Sequence, residues 1–391
     1  MTKKGSASGT RLRAVNIALA LAIVLVPAVV AQAQSYSVLY NFKNGSDGGY
    51  PDLGSLVQNK AGNLYGTTYE GGNIDCGTVF KVVPKTGTET VLYNFTCGDD
   101  GGFPIGTLFL SGTTLYGTAT YGGSSSNGVV FTVHIKTGTE KVLYTFTGGA
   151  DGGSPEGGPI LSKGVLYGTA KSGGTAGYGV VYKLVVNTGK ETVLHNFSYA
   201  DGGAPLASLT LDSTGKVLYG TTPEGGSGYD GVVFSLTIST GAYKVLYNFT
   251  GGADGGFPYG ALALDAANNL YGTTLWYGSS TYGTVFKVVP KTAKETVLYN
   301  FTGGADGGNP MGGVVRSNTG NLYGTTDAGG HNGYGTVFEL VKGKETVLHS
   351  FDYSHGANPY AAVIRDAKGD LFGTGEDGGS GTAGVVWEIT P

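Results

Sequence analysis

Small, apolar and polar positions alternate along this chain in short runs, and the runs recur in a fixed order. Pro258 to Phe301 holds one full set. Tyr259–Asp265 (YGALALD) alternates small and apolar residues, and a turn at Asn268–Asn269 leads to Leu270–Thr274 (LYGTT). A Gly/Ser-rich loop then leads to Gly283–Val289 (GTVFKVV), and a turn at Pro290–Lys294 to Glu295–Phe301 (ETVLYNF). Each run is β-branched or aromatic and of strand length, so the pattern predicts four antiparallel strands, A to D. No segment carries a helical period of adequate length.

The LYGTT run returns seven times, with its aromatic at Tyr65, Tyr116, Tyr167, Tyr219, Tyr271, Tyr323 and Phe372, at spacings of 51, 51, 52, 52, 52 and 49 residues. Seven four-stranded units of this length predict an all-β fold, a seven-bladed β-propeller in which each blade covers its neighbours. The ends of the chain support closure. Residues 34–391 begin with a D strand, Val38–Phe42, and end with a C strand, Gly384–Ile389, with no D strand after it. The first strand is therefore expected to complete the last blade. An open β-solenoid, the alternative, has no need of that complementary deficit.

Composition refines this picture. Glycine makes up 73 of 391 residues without a period of three, and short Val, Leu, Tyr and Phe runs exclude a disordered chain. Lys3, Lys4, Arg11 and Arg13 precede an apolar run from Ala14 to Ala31, and Ala31-Gln32-Ala33 supplies the small residues of a cleavage site. Residues 1–33 are thus expected to be a secretory signal, with an uncleaved membrane anchor as the alternative. The remainder carries 20 basic against 28 acidic residues and only two arginines, Arg316 and Arg365, which argues against nucleic acid. The expectation is a secreted or periplasmic monomer with no membrane span after cleavage.

In such a blade the D-to-A and B-to-C loops share one face. The D-to-A loops read DGGxP from Asp47, Asp100, Asp151, Asp201, Asp254 and Asp306, and the seventh departs with His355-Gly-Ala-Asn-Pro359. Each Asp either closes an Asx-type turn before a Pro that sets entry to strand A, or joins a carboxylate ring around the channel that holds Ca²⁺. The repetition favours the turn, and no cofactor is expected. The B-to-C loops vary more, as binding loops do. They carry Tyr69, Glu70, Tyr121, Lys171, Glu224, Trp276, Tyr277, Asp327, His331, Glu376 and Asp377. Aromatics beside carboxylates suit stacking on sugars, so Trp276, Tyr277, Tyr69, Glu70 and Glu224 are the candidate ligand-binding residues. The repeated tyrosines Tyr178, Tyr229, Tyr282 and Tyr334 are read instead as plugs between blades.

Cys76 and Cys97 sum to 173, the sum expected of opposite residues in a hairpin turning about Thr86-Gly87. They are expected to form a disulfide, against the alternatives of free thiols or half a metal site. His195 and His349 replace the Tyr of VLYNF and read as structural variants. His331 and His355, with Asp327 and Glu376, are the weaker candidates for acid/base or metal chemistry. No nucleophile elbow or phosphate loop is present.

The run GNLYGTT…GG…GTVFK…ETVLYNF…GGADGG resembles the GloVer (Gloeo-Verruco) repeat of bacterial secreted proteins, over essentially all of residues 34–391. The resemblance implies an exported or surface protein and supplies no catalytic residues. The sequence is therefore read as an exported binding module for an extracellular polysaccharide or protein. A polysaccharide lyase or glycosidase, or a purely structural repeat protein, is the alternative.

Overall fold

The computed structural model describes residues 1–5 and 34–391. Most of the expected secretory segment lies outside the described residues, and the strands all belong to Gln34–Pro391. Among the described residues no helix is long and apolar enough to cross a membrane.

Seven four-stranded antiparallel sheets form seven blades. Blade 1 consists of Val57–Gln58 (A), Leu64–Thr68 (B), Thr78–Val83 (C) and Thr88–Asn94 (D). Five further blades repeat this order. Blade 7 takes its A, B and C strands from Ile364–Arg365, Leu371–Gly375 and Val385–Thr390. Its D strand is Ser35–Asn41, paired with the C-terminal strand from Ser35↔Thr390 to Asn41↔Val385. The first and last strands thus close the ring.

The recurrent motif can be decoded residue by residue. The Leu of LYGTT is buried in the core between blades. The Gly lies cross-strand from the aromatic of GTVF, and a Cβ there would sit 2.6 Å from Phe80 Cζ in blade 1 and 2.5 Å from Phe234 Cζ in blade 4. The first Thr donates to a backbone carbonyl of the next blade's innermost segment, as Thr221 does to Gly260 (3.1 Å) and Thr273 to Gly312 (2.8 Å). The second Thr turns up into the B-to-C loop, where Thr68 Oγ1 donates to the Glu70 carbonyl and accepts the Thr78 amide.

The expected strand A is much shorter than its apolar alternation suggested. In blade 5 only Ala263–Leu264 pairs, not Tyr259–Asp265. The first part of that segment runs along the ring axis, where its carbonyl acceptor is taken by the neighbouring blade's Thr. Strand D carries a bulge in every blade at the Leu of VLYNF, for example Leu92 between Val91↔Phe80 and Tyr93↔Val79. The extra residue resets the alternation so that the following Tyr or His faces the next blade.

Cys76 and Cys97 form a disulfide with Cα atoms 5.6 Å apart. The bulge lifts the pairing sum from 171 near the turn, at Phe80↔Val91, to 172 at Thr78↔Asn94. The bridge joins a B-to-C loop to the D-to-A loop that follows. At the same two positions blade 3 packs Tyr178 against Tyr199 and blade 6 Tyr334 against Tyr353, tilted, with centroids 4.9 and 5.3 Å apart. The disulfide is therefore one of several ways to tie these loops. Replacing both cysteines by alanine should cost roughly 2–3 kcal/mol and leave the ring folded. Urea denaturation of the pair variant beside the parent checks this.

Candidate functional site

The D-to-A and B-to-C loops meet on one face and are cross-bridged in every blade, for example Gly49↔Glu70 and Gly256↔Trp276. The x residue of DGGxP pins two blades together. Phe257 N donates to Asp230 O of the previous blade, and its own carbonyl accepts Leu275 N. All seven x residues, Tyr50, Phe103, Ser154, Ala204, Phe257, Asn309 and Asn358, adopt positive φ between 49° and 58°. Non-glycine residues rarely hold this conformation, and here the backbone tethers enforce it, two at six of the positions and one at Ala204, whose carbonyl faces Pro223.

On this fixed backbone three positions vary freely and ring the mouth of the channel. The residue after the Pro is Asp52, Ile105, Glu156, Leu206, Tyr259, Met311 or Tyr360. The first loop residue after strand B is Tyr69, Thr120, Lys171, Pro223, Leu275, Asp327 or Glu376. The next is Glu70, Tyr121, Ser172, Glu224, Trp276, Ala328 or Asp377. Seven carboxylates stand in these rings against one cation, Lys171, which is paired with Glu156 at 2.9 Å. The channel below encloses only ≈ 60 Å³, room for about two waters. A ligand of any size must lie across the mouth.

The acids concentrate where blade 7 meets blade 1. Burial, then the charge of Glu156, pushes the Asp52 carboxyl up to about 7. Burial, then the charges of Asp52 and Asp377, pushes Glu376 to about 8. Burial alone raises Asp327 to about 7. At neutral pH Glu376 therefore keeps its proton. Aromatics sit elsewhere on the face. Trp276 and Tyr277 are exposed and pack on Phe257, with centroids 5.0 and 6.1 Å away. Tyr69 and Tyr121 flank Phe103 at 5.0 and 5.7 Å.

Asp327 and Glu376 both bear on Tyr360 at the mouth, but the two histidines stand apart from them. His355 Nδ1 lies 2.9 Å from Asp352 Oδ2 in an exposed loop. His331 is exposed, and its amide donates to Ser350 Oγ at 2.7 Å. The six repeated aspartates are turned into their own loops. Asp47, Asp100, Asp151, Asp254 and Asp306 each accept the hydroxyl of the Tyr seven residues earlier, at 2.8–2.9 Å. Asp201 faces His195 Nε2 at 3.1 Å. Among the described residues no three His, Cys, Asp or Glu side chains form a cluster fit for a metal ion.

Asp52, Glu156, Tyr259 and Tyr360 are the site residues that sequence reasoning missed. The signal was present: each follows a Pro that recurs in all seven repeats, yet differs from blade to blade.

The family profile of the Gloeobacter/Verrucomicrobia repeat matches residues 28–228 and again 211–391. The chain belongs to this repeat family. Gloeobacter/Verrucomicrobia repeats thus build the whole ring, including the fixed loops beneath the variable mouth. No curated protein matches the chain. Among solved structures, one from a mitotic checkpoint complex aligns at TM-score 0.60 with 13% identity, over 97% of this chain and 99% of that one. An oligogalacturonate lyase from Vibrio parahaemolyticus aligns at 0.57 with 11% identity, over 91% and 97%. The extracellular domain of a putative one-component system from B. thetaiotaomicron aligns at 0.54 with 11% identity, over 86% and 38%. At these identities the likeness is one of fold alone.

Proposed function

We propose that this protein is an exported binding module that holds a neutral or amine-bearing extracellular polysaccharide across the loop face. The observation that carries this is the exposed Trp276–Tyr277 platform backed by Phe257, in rings of variable residues on an invariant backbone. Flat aromatic faces stack on sugar rings, and the neighbouring carboxylates Glu224 and Glu70 accept from hydroxyl or ammonium groups. Seven carboxylates against one lysine disfavour a polyanion, which is why an acidic polysaccharide is not the proposed ligand. The disulfide fits an oxidising compartment outside the cytoplasm.

The test is a pull-down of residues 34–391 with insoluble neutral, amine-bearing and acidic polysaccharides, with released oligosaccharide read from the same samples. Retention without release on the first two is expected. Trp276→Ala should weaken it about tenfold, since loss of one stacking aromatic costs on the order of 1–2 kcal/mol.

A second reading is favoured by the raised carboxyls at the mouth. Glu376, protonated at neutral pH, would serve as general acid and the ionised fraction of Asp52, which grows as pH rises past about 7, as its partner in glycoside hydrolysis. Release of oligosaccharide that Glu376→Gln abolishes would support this reading over pure binding.

A further inference from the structure

Seven seams join the outer strands of adjacent blades, and they come in two chemical forms. At five seams a Tyr of one blade, bonded to its Asp, faces a Glu of the next: Tyr40 and Glu89, Tyr93 and Glu140, Tyr144 and Glu191, Tyr247 and Glu295, Tyr299 and Glu345. At the other two both partners change together. His195 stacks on Tyr243 and His349 on Tyr36, with centroids 3.7 and 3.6 Å apart and rings within 3° of parallel. The Glu is present wherever the Tyr–Asp pair is present and is absent where His replaces the Tyr. Such a joint exchange within one chain marks the pair as a unit.

The five glutamates share a further feature: Oε1 of each is buried without a hydrogen-bond partner. Opposite each lies an aspartate, namely Asp47, Asp100, Asp151, Asp254 and Asp306 in turn. Tyr182, buried within blade 3, also faces Glu191, and Lys81 offsets part of the effect at Glu89. An ionised Glu there has a buried oxygen without a donor and a like charge across the seam. A protonated one is relieved of the like charge, and its neutral oxygen is far less costly to leave without a donor than a charged one.

We propose that the five Tyr–Asp–Glu seams are proton-operated latches, firm while the glutamate is protonated and loosened when it ionises, whereas the two His–Tyr seams stay closed as pH rises. Burial, and then the facing aspartate, raises each glutamate to about 7. Their stabilising contribution is therefore complete below the ordinary carboxylate range and is lost as pH rises through 7. The histidines run the other way. Burial lowers His195 and takes His349 to about 4, so both stacks hold at neutral and alkaline pH. An export compartment that turns acidic would tighten the five glutamate seams and work against the two histidine seams, and an alkaline one would loosen the ring at the five.

Calorimetry of residues 34–391 at pH 5.5 and 8.5 tests this. Tm should fall by about 5 °C or more between the two. The variant carrying Gln at positions 89, 140, 191, 295 and 345 should lose at least half of that fall, the rest coming from Asp52, Asp327 and Glu376. A parent Tm that is flat or rising, or a variant that falls as far as the parent, would overturn the proposal. Should the five-fold variant not fold, carbon-13 NMR of the glutamate carboxyls in the parent decides. Five should titrate near pH 7 besides Glu376, and Glu295→Gln should remove one. Titration of all but Glu376 below pH 5.5 would overturn it.

Discussion

Gly158→Ala is expected to destabilise the protein by more than about 3 kcal/mol and to leave little folded material. Gly158 lies where seven inner segments converge on the axis. A Cβ on it would stand 1.8 Å from the Thr107 carbonyl oxygen and 2.7 Å from the carbonyl carbon of the neighbouring blade. Both are backbone atoms and cannot rotate away, unlike a side-chain tip. Gly164→Ala is the control: its φ is +78° and nothing lies within 4 Å, so only about 1 kcal/mol of backbone strain is expected. Urea denaturation of the two variants separates these cases. Equal midpoints would mean that the axis yields, and that the narrow channel is not fixed by backbone contact.

A chain that begins at Lys43 should not form a stable monomer. It lacks the D strand of blade 7, and with it Tyr36 and Val38 from the core around Trp387, and Phe42, which is fully buried against Phe80. Loss of a buried Phe alone costs about 3–5 kcal/mol. The C-terminal strand would also be left as an open edge, ready to pair with another chain. Light scattering after size-exclusion chromatography should find oligomers or aggregate, and a peptide of residues 34–42 added in trans should restore the monomer. A monomer with the parent's unfolding midpoint would mean that six complete blades suffice.

The architecture was legible because each blade must bury the same faces, so the same residues return at the same spacing. The ring closure followed from a surplus D strand at one end and a missing one at the other. The disulfide followed from hairpin arithmetic, although the bulge at Leu92 shifted the sum by one. The inner ring of the mouth was less legible. Tyr259 and its counterparts sit in a segment that alternates like a strand, yet the ladder begins only at Ala263. Local pattern cannot reveal that Gly260 O is already taken by Thr221 of the neighbouring blade. The proton-linked seams were hidden for a similar reason. ETVLYNF reads as one edge strand, and only the ring brings Glu295 of one blade against Tyr247 of the one before. The joint change to His195 and Tyr243 was visible in the repeat, but its meaning depended on knowing which strands touch.

Affinity electrophoresis decides whether the loop face holds saccharide, with residues 34–391 and Trp276→Ala run side by side in gels cast with neutral, amine-bearing or acidic polysaccharide. The parent should be retarded by a neutral or amine-bearing polymer and little by an acidic one, and Trp276→Ala should migrate almost freely. Equal retardation of parent and variant would move the ligand off this face. Free migration of the parent in every gel would contradict saccharide binding.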